Sequence, residues 1–433
     1  MTVLDEIPVG PDARLYAEGW QSWSPTTWYA RDDAIHRPSE PWQHAMRFRP
    51  DVEVAEDAVQ GEGLLVVDPG DGAPARVFGT LDARREVPTL RAAWKGDRVV
   101  VESLDDDHGV TTWTEEGRGD DVRQAALAAF GDRFGTAAGA RTPSPAPRVW
   151  CTWYQYFEEV RDSDVLENLR AIDDTGLDVD VVQIDDGWSL GAGEWTAPNP
   201  KFGSLPGAVD AIRTSGRRAG IWLAPFCVGA GSTVAREHPD WLVGDAGHNW
   251  GDDLRGLDLT HPGVRDHLTD VFGGIRDLGI DYVKLDFLYA GALAGARRDA
   301  DATPISAYRS GLELIREVLG EDAFLLGCGA PILPSVGLVD AMRVSGDTFH
   351  EGGEDGSQGL RGRMSLEARA WQHGRFWVND PDCLVARPQF ALREEWADVV
   401  LAAPGIRGFS DRIDALDARG MELVRALLKE DAA

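Results

Sequence analysis

Asp281-Tyr-Val-Lys-Leu-Asp286-Phe287 decides the fold. Side chains switch face at every step of a strand, so Tyr282, Lys284 and Asp286 share one face while Val283, Leu285 and Phe287 share the other. The apolar face suits packing against helices, and the polar face points into a lumen, with a carboxylate delivered where the run stops. Barrel enzymes keep their chemistry at that end of their strands. On this reading Lys284 lies beside Asp286 and lowers its pKa by opposite charge, as a nucleophile requires.

A second run, Ala341-Met-Arg-Val-Ser-Gly-Asp347-Thr348, repeats the device. Arg343, Ser345 and Asp347 share a parity, so a guanidinium again accompanies the carboxylate, and Asp347 lies past the strand end with freedom to swing. A third run, Val179-Asp-Val-Val-Gln-Ile-Asp185-Asp186-Gly187-Trp188, reads as a buried strand rich in β-branched residues that opens into a glycine turn. Adjacent acids repel, so Asp185 and Asp186 together at a strand end point to a ligand rich in hydroxyl donors, and sugars fit. Two carboxylates facing one sugar bond, one a nucleophile and the other an acid/base, are the machinery of a retaining glycoside hydrolase.

Working outward, eight candidate strands fall at 149–153, 179–184, 219–223, 281–286, 324–328, 340–345, 376–379 and 405–409. Amphipathic stretches such as Ser163 to Asp174 and Pro304 to Leu319 lie between most of them, and this alternation predicts a (β/α)8 TIM barrel over 149–433. Residues 1–140 read differently: Ala75-Arg-Val-Phe-Gly-Thr-Leu81 and Arg98-Val-Val-Val-Glu-Ser-Leu104 alternate between Gly/Asp turns, as in a small, mostly antiparallel β domain. The segment 141–148, with Thr142-Pro-Ser-Pro-Ala-Pro147, reads as a proline-rich linker. An insert from about Ala230 to Asp258 follows the third strand and carries Trp241 and Trp250, which would shape access or hold an acceptor sugar.

Composition narrows the class. A chain of 433 residues fits a large barrel plus an appended domain. The net charge of −30, with lysine only at 95, 201, 284 and 429, excludes general attraction to nucleic acid; it fits a salt-adapted host or a GC-rich genome. Met1-Thr-Val-Leu-Asp-Glu6 has neither a basic start nor an apolar core, so neither a signal peptide nor a membrane span is expected, and the cytoplasm is the expected compartment. Cys151, Cys227, Cys328 and Cys383 lack metal-ligand spacing, which fits a reduced interior.

From Val149 to Ser410 the chain resembles the α-galactosidases of glycoside hydrolase family 36, the melibiases. The motifs that carry the resemblance are Ile184-Asp-Asp-Gly-Trp188, Gly220-Ile-Trp-Leu-Ala-Pro-Phe226, Glu237-His-Pro-Asp-Trp241, Tyr282-Val-Lys-Leu-Asp-Phe-Leu-Tyr-Ala-Gly-Ala292, Leu326-Gly-Cys-Gly-Ala-Pro-Ile-Leu-Pro334, Asp340-Ala-Met-Arg-Val-Ser-Gly-Asp347 and Phe376-Trp-Val-Asn-Asp-Pro-Asp-Cys-Leu384. Glu18-Gly-Trp-Gln-Ser-Trp-Ser-Pro25 is similar to a family segment that reaches over the active site. The resemblance implies a retaining, exo-acting α-galactosidase that takes a small oligosaccharide or α-glycoside and needs no metal or other cofactor. Asp286 matches the nucleophile and Asp347 the acid/base; Asp185 and Asp186 match the pair that hold O4 and O6 of galactose. Trp222, Lys284, Cys328 and Arg343 match further sugar contacts, Trp20 and Trp23 would close the pocket, and Trp153 and Tyr154 would stand at its wall.

Two departures bear on what is expected. The chain stops just after the eighth helix at Ala433, so the C-terminal β domain typical of the family is expected to be absent; either the barrel tolerates the loss or a partner subunit, in a homo-oligomer, covers the exposed face. Val344-Ser-Gly-Asp347 and Gly187-Trp-Ser-Leu-Gly-Ala-Gly-Glu194 differ from common versions. A transglycosylase of the raffinose-synthase type, a retaining α-glucosidase, an α-N-acetylgalactosaminidase and a catalytically silent sugar-binding barrel therefore stand as alternatives. Plainer readings stand beside them: strand-end aspartates as helix caps, Lys284 as an ion-pair partner or a Schiff-base lysine, Cys328 as packing, the tryptophans as core, and Asn379, Asp380 and Asp382 as a magnesium site.

Overall fold

A computed structural model describes residues 1–37, 46–50, 52–53, 56–70, 72–105, 109–117, 119–349, 355, 357, 359–360 and 362–429. Eight short parallel strands form its centre: β1 (Arg148–Cys151), β2 (Val181–Ile184), β3 (Arg218–Leu223), β4 (Tyr282–Leu285), β5 (Phe324–Gly327), β6 (Ala341–Arg343), β7 (Val378–Asp380) and β8 (Arg407–Phe409). Neighbours run in sequence from β1 to β7, and β8 lies beside β1. The ring closes where the Ile406 N–H donates to the Asn379 carbonyl at 2.8 Å. Gly405 permits that approach: its φ is +125°, and a Cβ there would fall 1.9 Å from the Asn379 oxygen. Each strand lies within about two residues of its expected position, and helices Asp162–Thr175 and Pro304–Leu319 match the amphipathic stretches.

Strand parity sorts the side chains as the opening heptapeptide predicts. Val182, Ile184, Val283 and Leu285 face outward into the apolar layer under the helices, each worth about 1.5–3 kcal/mol when fully buried. Inside the ring, Val149, Val181, Tyr282, Phe324, Leu326, Ala341, Val378 and Ile406 fill the floor as a separate apolar cluster. Polar side chains can therefore stand only above that floor, at the C-terminal ends of the strands.

Two antiparallel sheets precede the barrel. One orders Thr2–Pro8, Arg98–Ser103, Thr89–Lys95 and Val59–Glu62; the other orders Thr27–Tyr29, Arg14–Ala17, Leu64–Asp68, Ala75–Gly79 and Thr111–Glu115. Leu15, Leu65, Val67 and Phe78 pack between these sheets against Val59, Leu90 and Val101. On the opposite face Tyr16, Leu64, Val66 and Val77 join the barrel's own core, so one apolar layer runs through both regions.

A 20-residue helix, Gly119–Ala138, mediates that junction and was not legible in the sequence. Its Gly131 and Gly135 argue against a helix by propensity. Here they are required, because a Cβ on Gly131 would lie 2.7 Å from Arg375 Cδ and one on Gly135 would lie 2.4 Å from the Arg375 carbonyl. The insert after β3 is likewise more regular than a loop: Cys227–Gly229, Leu242–Asn249 and Asp252–Leu257 form a three-stranded antiparallel sheet. Among the described residues no helix is long and apolar enough to cross a membrane.

Candidate active site

The C-terminal rim of the barrel opens into a cavity of about 890 Å³, in the range of small-molecule sites. Asp185, Asp186, Trp222, Lys284, Asp286 and Asp347 line it from the ends of four strands, β2, β3, β4 and β6, and Trp23 and Trp153 complete the wall. Asp286 directly follows β4, and two N–H groups hold its carboxylate: Trp222 Nε1 donates to Oδ2 at 3.0 Å and the Phe287 backbone N–H to Oδ1 at 2.7 Å. Two charge-assisted donors, one on each oxygen, fix the orientation of the carboxylate.

Asp347 sits in a different electrostatic setting. Burial pushes its carboxyl up to about 7; the Arg343 guanidinium, 2.8 Å away, opposes the shift, and the charges of Asp382 and Asp286 reinforce it. The side chain still keeps 31% of its surface open, at the cavity, so the proton it holds is accessible. Arg343 is divided between two carboxylates, because it also pairs with Asp382 at 2.5 Å. Asp382 is fixed in turn by the Tyr154 hydroxyl and by the Thr348 N–H and Oγ1 at 2.7 and 2.8 Å.

The adjacent acids divide their roles by partner. Asp185 accepts from Lys284 Nζ at 3.0 Å and from Gln183 Nε2 at 2.6 Å. Burial raises the carboxyl of Asp186 to about 7; hydrogen bonds from Trp250 and the Gly187 N–H lower it, and the charges of Asp185 and Glu158 raise it. Lys284 was expected beside Asp286, but its hydrogen-bonded ion pair is with Asp185. Register supplies the reason: Ile184 aligns with Ile221 and Trp222 with Lys284, so Asp185 stands level with Lys284, whereas Asp286 lies two positions higher along β4. Although burial disfavours the Lys284 ammonium, Asp185 and its other anionic neighbours hold its pKa well above the ordinary lysine value. A protonated amine of this kind does not form a Schiff base.

Four non-glycine residues among those described have positive φ: Phe157, Trp250, Phe287 and Asp382. Phe287 and Trp250 line the cavity, Asp382 holds Arg343, and Phe157 packs on Trp153 at 5.2 Å between ring centroids. Strain of this sort gathers where a site over-determines its backbone. Among the described residues no group of three or more His, Cys, Asp and Glu side chains is disposed to hold a metal ion.

Comparison with known proteins finds α-galactosidases. The family model described as Melibiase matches residues 144–312. The bifunctional α-galactosidase/sucrose kinase AgaSK of Mediterraneibacter gnavus is 32% identical over 138 residues, which is 27% of this chain and 14% of that protein. The α-galactosidase of Escherichia coli is 32% identical over 155 residues, 33% of this chain and 22% of that one. These alignments therefore span less than a quarter of either relative. The α-galactosidase TtGalA of Thermus thermophilus, in complex with p-nitrophenyl α-D-galactopyranoside, is 28% identical and superposes with a TM-score of 0.79 over 99% of this chain and 89% of that one.

Residues 144–312 thus resemble the melibiases in sequence, and the whole chain resembles the α-galactosidases in fold.

In this barrel, four residues singled out from the sequence stand behind the cavity wall instead of lining it. Trp20 is core, stacked on Phe48 at 4.1 Å, with its carbonyl accepting from the Ile332 N–H. Tyr154 is buried and acts through Asp382. Arg343 lies beneath Asp347, and Cys328 is buried, its thiol kept protonated by burial and by the charge of Asp286. Trp241 of the insert stacks on His238 at 3.8 Å, away from the cavity, which removes half of the aromatic pair read as an acceptor site.

Sequence reasoning singled out the strap that carries Trp23 but missed the ion pair that pins it. Glu18 and Arg369, both fully buried, pair at 2.6 Å. Arg369 also donates to the carbonyls of Ser22 at 3.1 Å and Val344 at 3.0 Å, and the Gly329 N–H donates to Ser22 Oγ at 3.0 Å. Pinned in this way, the Trp23 ring lies over Gly346, where a Cβ would be 3.3 Å from the indole. Nothing around Arg369 in the sequence marks it, since its partner is 351 residues away.

Proposed function

We propose that this chain is a retaining, exo-acting α-galactosidase that removes terminal α-galactosyl residues from small oligosaccharides. One observation carries the reading: two carboxyls share a cavity, one held by two N–H donors and the other raised to about 7. That division suits a nucleophile and an acid. Asp286 attacks the anomeric carbon as Asp347 gives its proton to the departing oxygen, so a C–O bond to Asp286 forms while the glycosidic bond breaks, leaving a β-linked ester. Asp347, now anionic, takes a proton from water. The resulting hydroxide equivalent attacks the same carbon and releases Asp286, and two inversions restore the α configuration.

Asp185 and Asp186 accept hydroxyls of the galactosyl ring, Lys284 shares the charge of Asp185, and Trp222 both lines the cavity and holds Asp286. The Thermus thermophilus relative supports the substrate class, being known in complex with p-nitrophenyl α-D-galactopyranoside and with stachyose. The four cysteines, all outside disulfides, support residence in the reducing cytoplasm. A panel of 4-nitrophenyl α-glycosides, with galactoside, glucoside and N-acetylgalactosaminide compared by kcat/KM, tests the assignment. The galactoside should lead; preference for either of the others would replace it. Product analysis with excess acceptor sugar separates hydrolysis from transfer, and free galactose as the main product is expected.

A further inference from the structure

The inserted hairpin presents one residue whose identity its own turn does not explain. Strands Leu242–Asn249 and Asp252–Leu257 are joined by Trp250 and Gly251 alone, with Asn249 paired to Asp252. Both connecting residues have positive φ, +52° and +72°, the pattern of a type I′ turn. Such a turn favours Asn, Asp or Gly at its first central position, and a bulky aromatic there is strained. A sequence that breaks a local rule at one position points to a role for that side chain.

The contacts of Trp250 give that role. Its Nε1 donates to Asp186 Oδ2 at 2.8 Å. Its ring meets Trp222 edge-on at 6.0 Å between centroids and leans on Phe287 at 4.9 Å. Trp222 and Phe287 are the two residues whose N–H groups hold Asp286. One indole therefore touches the acid offered to the sugar and backs both donors of the proposed nucleophile.

We propose that Trp250 is a positioning residue of the sugar site, aiming Asp186 at the galactosyl hydroxyls and bracing Trp222 and Phe287 behind Asp286. The proposal rests on the α-glycosidase reading, because positioning has meaning only if Asp186 meets a sugar. Gly187 N–H takes one lone pair of Asp186 Oδ1 and Trp250 one of Oδ2, so each oxygen keeps a lone pair for substrate, and the Trp250 bond stabilises the ionised form that must accept hydroxyl protons. Facing Asp186 are Asp185, whose charge Lys284 shares, and Glu158; Asp286 and Asp347 face it across the cavity. On the hairpin itself Asp253 pairs with His248, and Asp245 and Arg255 also line the cavity. The surroundings of Asp186 are thus mostly anionic, and a donor that favours its charge matters more there.

Two variants test this. Trp250→Phe keeps an aromatic ring and deletes the donor; Trp250→Asn suits the turn and deletes the ring. Both are measured against the α-glycoside that the wild type cleaves best in the panel above, so a wrong sugar assignment shows in the wild type and not in this comparison. Trp250→Phe should raise KM by about tenfold or more, as expected for a lost hydrogen bond to a charged group, with a smaller change in kcat. The acid limb of its kcat/KM profile should also move to higher pH, because Asp186 loses a donor to its ionised form. Trp250→Asn should unfold near the wild-type midpoint, its relaxed turn offsetting lost ring contacts, yet lose at least as much kcat/KM. An unchanged KM and pH profile in Trp250→Phe would overturn the proposal. So would activity in Trp250→Asn that falls only in step with its unfolding midpoint.

Discussion

The barrel strands bring carboxylates to the cavity, whereas the segments that cross its mouth bring indoles. Asp185, Asp186, Asp286 and Asp347 all follow β2, β4 or β6. Trp23 arrives on the strap pinned by Arg369, and Trp250 arrives on the hairpin after β3. The strands set which charges are present and at what height. The crossing segments add walls to the cavity, and one of their N–H groups, that of Trp250, lowers the raised carboxyl of Asp186.

If the barrel supplies the reacting groups, the largest losses should come from its rim. Asp286→Ala should lower turnover by about 10⁴-fold or more, and azide should restore turnover of an activated galactoside, giving a β-galactosyl azide. Unimpaired turnover in that variant would break the comparison at its base. Asp347→Asn should cost about 10²- to 10⁴-fold with a poor leaving group and much less with 4-nitrophenolate, and it should abolish the alkaline limb of kcat/KM expected near pH 7. An alkaline limb that survives in the variant would remove Asp347 as the acid.

The crossing segments should act on stability and KM more than on kcat. Glu18→Ala leaves the buried Arg369 guanidinium without its carboxylate, a change that costs about 3–5 kcal/mol. A lowered denaturant midpoint is expected together with a raised KM, because the strap carries Trp23. A KM that stays put would separate Trp23 from substrate binding. The smallest effect is on the pH dependence of stability. The Asp347 carboxyl is raised in the folded state, so the stability it contributes is present at low pH and is lost as pH rises from the unfolded value near 4 through about 7. Relative to Asp347→Asn, the wild type should lose on the order of 1 kcal/mol across that window after allowance for solvent at the cavity. A difference of the opposite sign would mean that the Arg343 pair outweighs burial.

How much of this was legible follows from the range of each interaction. A strand's two faces are written in alternate residues, so Tyr282, Lys284 and Asp286 could be placed in the lumen from seven letters. The acids at strand ends could be found in the same way. Which acid meets Lys284 depends on the register of β2 against β4 across β3, and no local pattern encodes that. Arg369 was invisible for the same reason. The helix Gly119–Ala138 was hidden because its glycines answer to Trp371 and Arg375, far along the chain, and not to helix propensity. Asp382 was visible in Asn379-Asp-Pro-Asp382, but its chemistry was open: beside the other acids it reads as a metal ligand, and beside Arg343 it is an ion-pair partner.

The central claim is that Asp286 forms a covalent bond to the sugar while Asp347 manages the proton. Mass spectrometry of peptides after reaction with an activated, 2-fluorinated α-galactoside, which slows release of the glycosyl-enzyme, tests it most directly. The expected result is one galactosyl adduct on the peptide that contains Asp286, lost in Asp286→Ala. An adduct on another residue, or steady turnover of the reagent with the β anomer of the sugar released first, would contradict it.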